Sequence, residues 1–431
     1  VAVLPSSAML SANDNELLTR TGPETPMGDL FRRFWVPVLI SAELPEPDCP
    51  PVRVGVLGEE LVAFRDTNGA IGLVEGRCPH RRAELFWGRN EECGLRCVYH
   101  GWKFDVDGNC VDMPSEPPES QFLEKVGITA YPTREWGGFI WAYMGPPDLP
   151  LPDLPEFEWA HVPESHRYVS KKLQQCNWAQ SVEGAIDTAH FSFLHMLVGE
   201  LPPDAPKALR YMRADGSPKF TIRPTEAGFV IGGARFAEED SFYWRITQFL
   251  APNHSLAPGA ERGQNINGQT WVPIDDESCW IYTYTWNPDR PITEEELAVI
   301  KGGKASVHSV VDEHYRPVRN RANDYLIDRE AQRTASYTGV QGISEQDACI
   351  QDSQGPIYDR TQEHLGTTDV AIIEFRRMML RMARNLLEGQ EPAEARNGRA
   401  YWVRSGAEIA PRTTPFDDVA ADRTTAGELN A

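Results

Sequence analysis

No stretch of this 431-residue sequence approaches the roughly 18 consecutive apolar residues that a bilayer-spanning helix requires, so no membrane role is expected. The start, Val1-Ala-Val-Leu-Pro-Ser-Ser-Ala, lacks the basic region and long apolar region of a secretory signal, and the expected location is the cytoplasm. Positive charge is scarce: 42 Lys and Arg stand against 63 Asp and Glu, a net charge of −21. That balance excludes the basic surface that a phosphate backbone demands, and no nucleic-acid partner is expected. It also repels small anions at long range, so an anionic substrate would need a local cluster of Arg or Lys. Cysteine is sparse too. Eight, scattered over this length, suit reduced thiols or metal ligands better than a disulfide framework. Internal repeats, low-complexity tracts and a Gly-rich dinucleotide fingerprint are all absent.

What is present has the balance of a globular protein, with 41% hydrophobic and 24% charged residues. The length favours two domains. From Val52 to about Trp141, short β-rich runs (VRVGVL, LVAFRD, IGLVEG, GGFIWAYM) alternate with Gly, Asn, Asp and Pro turns, which predicts a small antiparallel β domain. Lys103-Phe-Asp-Val, the turn pair Asp107-Gly108 and Asn-Cys-Val spell out one of its hairpins. The proline-dense stretch from Gly145 to Glu156 cannot sustain a helix or a central strand and marks a linker. Beyond it we expect an α+β domain: a helical segment near 177–198, strands at FTIRP, GFVIGG, SFYWRITQFLAP and CWIYTYTWNP, and helices at 294–301, 306–315 and 368–388. The expected organisation is an N-terminal arm (1–40, helical over 9–35), a β domain (41–155), an α+β domain whose antiparallel sheet is flanked by helices (156–405) and a mobile tail (406–431).

Two Cys-His pairs fall in the β domain: Cys78-Pro-His80, then Cys97-Val-Tyr-His100. Each pair sits on a short loop able to close on one metal centre. Two thiolates on one iron and two imidazoles on the other make the Rieske form of a [2Fe–2S] cluster. Four such ligands also suit a structural zinc, although zinc sites usually group Cys with Cys and His with His. Cys93 lies outside the pattern and is expected to be a buried thiol.

A second constellation follows the linker. Glu183, Asp187 and His190 are spaced to share one helix face, and His195 comes five residues after His190. On an ideal helix those two imidazoles would point about 140° apart, so they can meet one metal only across a break, expected near Phe191–Leu194. Two imidazoles and a carboxylate leave positions open for dioxygen on a non-haem Fe(II).

The strings C-P-H-R (78–81) and C-x-Y-H-G-W-K-F (97–104) resemble the Rieske family. The chain lacks the extra cysteines of that family's electron-transport branch. D-x-x-H-x-x-x-x-H (187–195) is similar to the family's mononuclear iron site. The segments LLTRTGPETPMGDLFRRFWVPVL and GPIYDRTQEHLGTTD-AIIEFRRMML look like the phthalate 4,5-dioxygenase branch, so the resemblance runs from about residue 15 to 385. It implies a terminal oxygenase with a [2Fe–2S] cluster on Cys78, His80, Cys97 and His100, and Fe(II) on His190, His195 and a carboxylate of the 344–360 segment, Asp347 or alternatively Asp352. It makes Asp187 the carboxylate that links His190 to cluster ligand His100 of a neighbouring subunit, and puts Glu183 near the iron unless it is solvated or salt-bridged. The implied partners are a flavin/[2Fe–2S] reductase fed by NAD(P)H, O₂ and a small aromatic acid, in a homotrimer or stacked hexamer. The implied chemistry is ring dioxygenation of an aromatic carboxylate, or alternatively O-demethylation of a methoxylated aromatic acid. A Rieske electron carrier without oxygenase activity would not need His190 and His195. Arginine pairs with carboxylates bidentately, and Arg210, Arg235 and Arg245 are the candidates to hold the acid. Strand alternation could aim Arg245 inward.

Overall fold

Short β-branched and aromatic runs punctuated by turn residues form strands, and the computed structural model, which describes residues 9–427 except 118, 204 and 305, bears this out. Residues 1–8 of the expected arm and 428–431 of the expected tail lie outside the described residues. Two units are distinguished, one from Thr21 to Pro152 and one joining the residues before Thr21 to those from Asp153 onward.

The first unit holds β1 (Trp35–Ile40), β2 (Val52–Val56), β3 (Glu59–Arg65), β4 (Ile71–Glu75), β5 (Arg89–Glu91), β6 (Gly94–Arg96), β7 (Lys103–Phe104), β8 (Cys110–Asp112), β9 (Thr133–Trp136) and β10 (Phe139–Tyr143). They form three antiparallel sheets, ordered β2-β3-β4, β5-β6-β7-β8 and β1-β10-β9. The hairpin between β7 and β8 closes as its sequence suggests. Gly108 takes φ +81, its N–H donates to the Asp105 carbonyl at 3.1 Å, and Asp105 Oδ1 accepts from the N–H groups of Asp107 and Asn109. Phe64, Val74, Leu85, Leu95, Trp102 and Phe104 pack into one core with Cys78 and Cys97. Each fully buried large side chain contributes roughly 1.5–3 kcal/mol, so the loops that carry the two cysteines are anchored by the core itself.

The second unit is organised by an eight-stranded antiparallel sheet: β11 (Arg167–Gln174), β12 (Lys219–Pro224), β13 (Gly228–Phe236), β14 (Ser241–Leu250), β15 (His254–Ala257), β16 (Ile266–Pro273), β17 (Cys279–Trp286) and β18 (Gly406–Pro411). The order is β11-β17-β16-β15-β14-β13-β12, with β18 also paired to β14. The helices Trp178–Ile186, Ile343–Ser353 and Val370–Leu387 belong to this unit. In the last, Ala371, Phe375, Met378, Met379, Met382 and Ala383 are buried at helical spacing. Among the described residues no helix is long and apolar enough to cross a membrane.

Four expectations change. The arm is two helices, Ala12–Thr19 and Pro26–Phe31, because Thr25 caps a new start by accepting from the Gly28 N–H at 3.2 Å. Residues 306–315 are not a helix. His308 is instead buried between the Ser170 and Thr285 hydroxyls at 2.6 and 2.9 Å. The tail expected to be mobile adds β18 to β14 over Ser241–Ile246, and the helix Phe416–Thr424 buries Phe416 and Val419 behind it. Cys93 is half-exposed, not buried, and accepts from Asn68 Nδ2 at 3.1 Å.

Candidate metal centres

The two Cys-His loops share one backbone design. In the first, the Cys78 N–H donates to the Ala83 carbonyl and the Cys78 carbonyl accepts from the Arg82 N–H, at 2.8 and 2.9 Å. In the second, Cys97 makes the same pair of bonds with Trp102 and Gly101, at 2.8 and 2.9 Å. The fifth residue of each loop, Arg82 or Gly101, has positive φ, +61 or +78. These turns bring the His80 and His100 rings to 4.3 Å, and Trp102 stacks on His80 at 4.5 Å. The hydrogen bond between the sulfurs draws Cys97 below the ordinary thiol range and pushes Cys78 above it. His80 Nδ1 is buried without a hydrogen-bond partner. A buried imidazole nitrogen left unpaired is costly, and a metal bond would satisfy it. Two sulfurs and two imidazoles on twin loops fit a Rieske [2Fe–2S] cluster.

The second centre begins where a helix stops. Asn177 caps Trp178–Ile186, accepting from the Ala179 N–H at 3.0 Å, while its Nδ2 donates to the carbonyls of Thr19 and Asp276. The helix ends one residue before Asp187, earlier than sequence spacing predicted, so His190 does not continue the face of Glu183. Asp187 Oδ1 accepts from the Ala189 N–H at 2.7 Å and turns the chain. A 3₁₀ turn spans His190–Ser192, and the His190 carbonyl accepts from the N–H groups of Phe193 and Leu194. Gly233 makes room for this loop: a Cβ there would lie 2.6 Å from Thr188 Cγ2.

That irregular turn brings His190 Nε2 to 3.1 Å from His195 Nε2. Asp347 Oδ1, from the helix Ile343–Ser353, lies 3.5 Å from His190 Nε2 and 3.2 Å from His195 Nε2. With metal–ligand bonds of about 2.1 Å, two donors on one ion stand about 3.0 Å apart at octahedral and about 3.4 Å at tetrahedral corners, so the three atoms are spaced to share one ion. Asp352 is occupied elsewhere, accepting from Gln174 Nε2 at 2.8 Å and from the Tyr325 hydroxyl. Burial opposes charge on Asp347, yet His195 and His190 hold its carboxyl below the usual range. Burial likewise opposes charge on Asp187 and His190, and their mutual bond, 3.4 Å from His190 Nδ1 to Asp187 Oδ2, prevails for both. The other imidazole has a neutral partner that sequence reasoning missed, Gln346, at 2.7 Å from His195 Nδ1. Its only sequence signal was its place beside Asp347.

Glu183 is salt-bridged rather than free. Arg360 grips both its oxygens at 3.0 Å, Arg376 Nε adds a third bond at 2.7 Å, and Arg376 continues to Glu363. A cleft of about 180 Å³ is lined by Glu183, Asp187, His190, Asp347 and Arg376 among others. The three candidate arginines part ways. Arg210 is exposed and donates to the Pro203 carbonyl. Arg245 and Arg235 are buried on neighbouring strands, with Gly233 opposite Arg245. Both meet the loop of residues 187–195. Arg245 donates to Thr188 Oγ1 at 3.2 Å and lies over the Phe191 ring at 4.2 Å. Arg235 donates to the Thr188 carbonyl and Ser192 Oγ at 2.7 and 3.2 Å, and its Nη1 has no partner. Among the described residues their hydrogen bonds run to hydroxyls, backbone carbonyls and the Met212 sulfur rather than to a carboxylate. Burial, with Arg245 nearby, pushes Arg235 down to about 10.

Comparison with known proteins agrees with this geometry. A Rieske [2Fe-2S] domain model matches residues 34–132, and a model described as LigXa C-terminal domain like matches 142–430. The phthalate 4,5-dioxygenase oxygenase subunit of Pseudomonas putida is 44% identical over 386 residues, covering 86% of each chain. The 3-chlorobenzoate-3,4-dioxygenase oxygenase subunit of Comamonas testosteroni is 39% identical, covering 95% of this chain and 97% of its own. The fold is that of dicamba monooxygenase bound to dicamba, at TM-score 0.59 and 17% identity over 83% of this chain and 98% of that one.

Proposed function

The chain belongs to the Rieske non-haem iron oxygenases that join a Rieske [2Fe–2S] domain to a LigXa-type C-terminal domain, and on that premise we propose that it is the terminal oxygenase that dioxygenates the ring of an aromatic carboxylate. The observation that carries the reading is the convergence of His190, His195 and Asp347 at metal-ligand spacing in a chain that also presents the twin Cys-His loops. When bound, the cluster supplies single electrons and the Fe(II) supplies the place where dioxygen is activated.

The chain's own groups prepare that chemistry. Asp187 keeps the His190 proton on Nδ1 and leaves Nε2 free for the metal. In a head-to-tail homotrimer or stacked hexamer, Asp187 would also receive His100 of a neighbouring copy and shorten the electron path. Glu183 acts through its ion pairs, fixing the helix that ends at Asp187. Two buried guanidiniums at the iron-site loop, one with an unpaired Nη1, are suited to a ring carboxylate that cancels their charge. Arg245 and Arg235 are therefore assigned to the substrate, and Arg210, exposed, is not. Two relatives are named for phthalate and 3-chlorobenzoate, both ring carboxylates. Electrons come from a separate NAD(P)H-dependent reductase carrying flavin and a [2Fe–2S] centre.

The test is to supply the purified protein with a surrogate reductase or dithionite under O₂ and offer phthalate-type and vanillate-type acids. A cis-dihydrodiol from the former is expected, with the corresponding neutral ester turned over poorly. Formaldehyde from the methoxylated acid, without a diol from any ring acid, would replace ring dioxygenation by O-demethylation.

A further inference from the structure

The two imidazoles at the iron face are backed by chemically different groups. His190 Nδ1 faces the Asp187 carboxylate at 3.4 Å. His195 Nδ1 faces the Gln346 carboxamide oxygen at 2.7 Å. Gln346 itself has one orientation that works. Its Nε2 donates to the Val340 carbonyl at 2.8 Å, and a carbonyl can only accept. The amide nitrogen must therefore point to Val340 and the amide oxygen to His195. An amide oxygen in turn can only accept, so His195 must carry its proton on Nδ1, with its Nε2 lone pair directed at Asp347 and His190.

We propose that Gln346 is the positioning residue for His195, locking the tautomer that presents Nε2 to iron while keeping the site electrically neutral. The inference rests on the assignment of His190, His195 and Asp347 as the iron ligands. Charge explains why an amide stands here. Asp347 and Asp187 together balance a divalent ion. A third carboxylate behind His195 would leave the centre net negative and repel an anionic ring acid, whereas glutamine supplies the same acceptor without charge. Because Gln346 immediately precedes Asp347 on one helix, the positioning group and the carboxylate ligand move together.

The test uses the full-length oxygenase stripped of mononuclear metal and titrated with Fe(II), and with Co(II) as an optical probe, against a competing chelator. Cluster absorbance and melting temperature serve as controls for folding. Gln346→Leu should bind either ion roughly 10–100-fold more weakly with the cluster intact. Gln346→Glu, which still accepts from Nδ1–H, should recover metal binding. It should also shift the Co(II) spectrum and raise the KM of an anionic substrate more than that of its neutral amide. Wild-type affinity and spectrum in Gln346→Leu, with binding lost in His195→Ala, would overturn the role of Gln346 and leave the ligand assignment standing. Wild-type metal affinity in His195→Ala would overturn the ligand assignment, and the proposal with it.

Discussion

The two candidate metal centres gather their side chains at different ranges of the chain. Cys78, His80, Cys97 and His100 sit on two short loops that repeat one hydrogen-bond pattern and are anchored in one core. His190 and His195 share a loop, but Asp347 arrives on a helix far along the chain. The second arrangement depends on buried charge that holds distant segments in place. Arg360 and Arg376 tie Glu183, on the helix before the loop, to the segment around Glu363 and to the helix Val370–Leu387. A centre built locally should tolerate damage elsewhere, and one built across the chain should not.

The sharpest break exchanges the two centres. Cys97→Ser should abolish the cluster's visible absorbance and its labile sulfide while mononuclear iron stays bound, and Asp347→Ala should do the reverse. Simultaneous loss of both centres in either variant would contradict the separation. Next in size is the buried charge. Removing one member of such a group costs about 3–5 kcal/mol, so Arg376→Leu should lower stability by that amount in urea unfolding of the iron-bearing unit and leave the cluster absorbance in place at low denaturant. Asp187→Asn is smaller still. Both centres should remain occupied while single-turnover oxidation of the reduced cluster slows roughly 10–100-fold.

The mildest prediction concerns acid. Burial lowers His254 and His308 from 6.5 to about 3. Below pH 6.5 the unfolded chain takes up these protons and the folded chain does not, so stability falls as pH drops from 6.5 toward 3, by up to about 1.4 kcal/mol per pH unit for each histidine. Urea midpoints measured at pH 7, 6 and 5 should decline for this unit, and His308→Asn should flatten its share of the slope. The other unit has only His80 and His100, both assigned to the cluster, so its acid response should follow loss of the cluster absorbance.

Legibility followed the same divide. The hairpin at Asp107-Gly108 and the Cys-His loops were readable because turn chemistry and ligand spacing act within a few residues. The break between His190 and His195 was readable because helical geometry forbids their meeting otherwise, although its position was set earlier, by Asp187. Residues 306–315 carried a helical pattern that lost to burial of His308 against Ser170 and Thr285. The tail's polar composition gave no sign that β14 had an edge for it to cover. Between the two aspartates the family resemblance favours Asp347, and the packing of Gln174 and Tyr325 against Asp352 adds a spatial reason that no spacing carries.

By itself the sequence determined the α+β class, the β domain, the two Cys-His loops and the need for a break between His190 and His195, because each depends on periodicity or spacing over a few residues. Tertiary structure alone decided that Gln174 and Tyr325 claim Asp352, that Glu183 is held by two arginines, which arginines are buried at the loop of residues 187–195 and that Gln346 backs His195. The physical reason is that burial and hydrogen-bond partnership are properties of neighbours in space, and a chain of letters carries no record of which distant residues become neighbours.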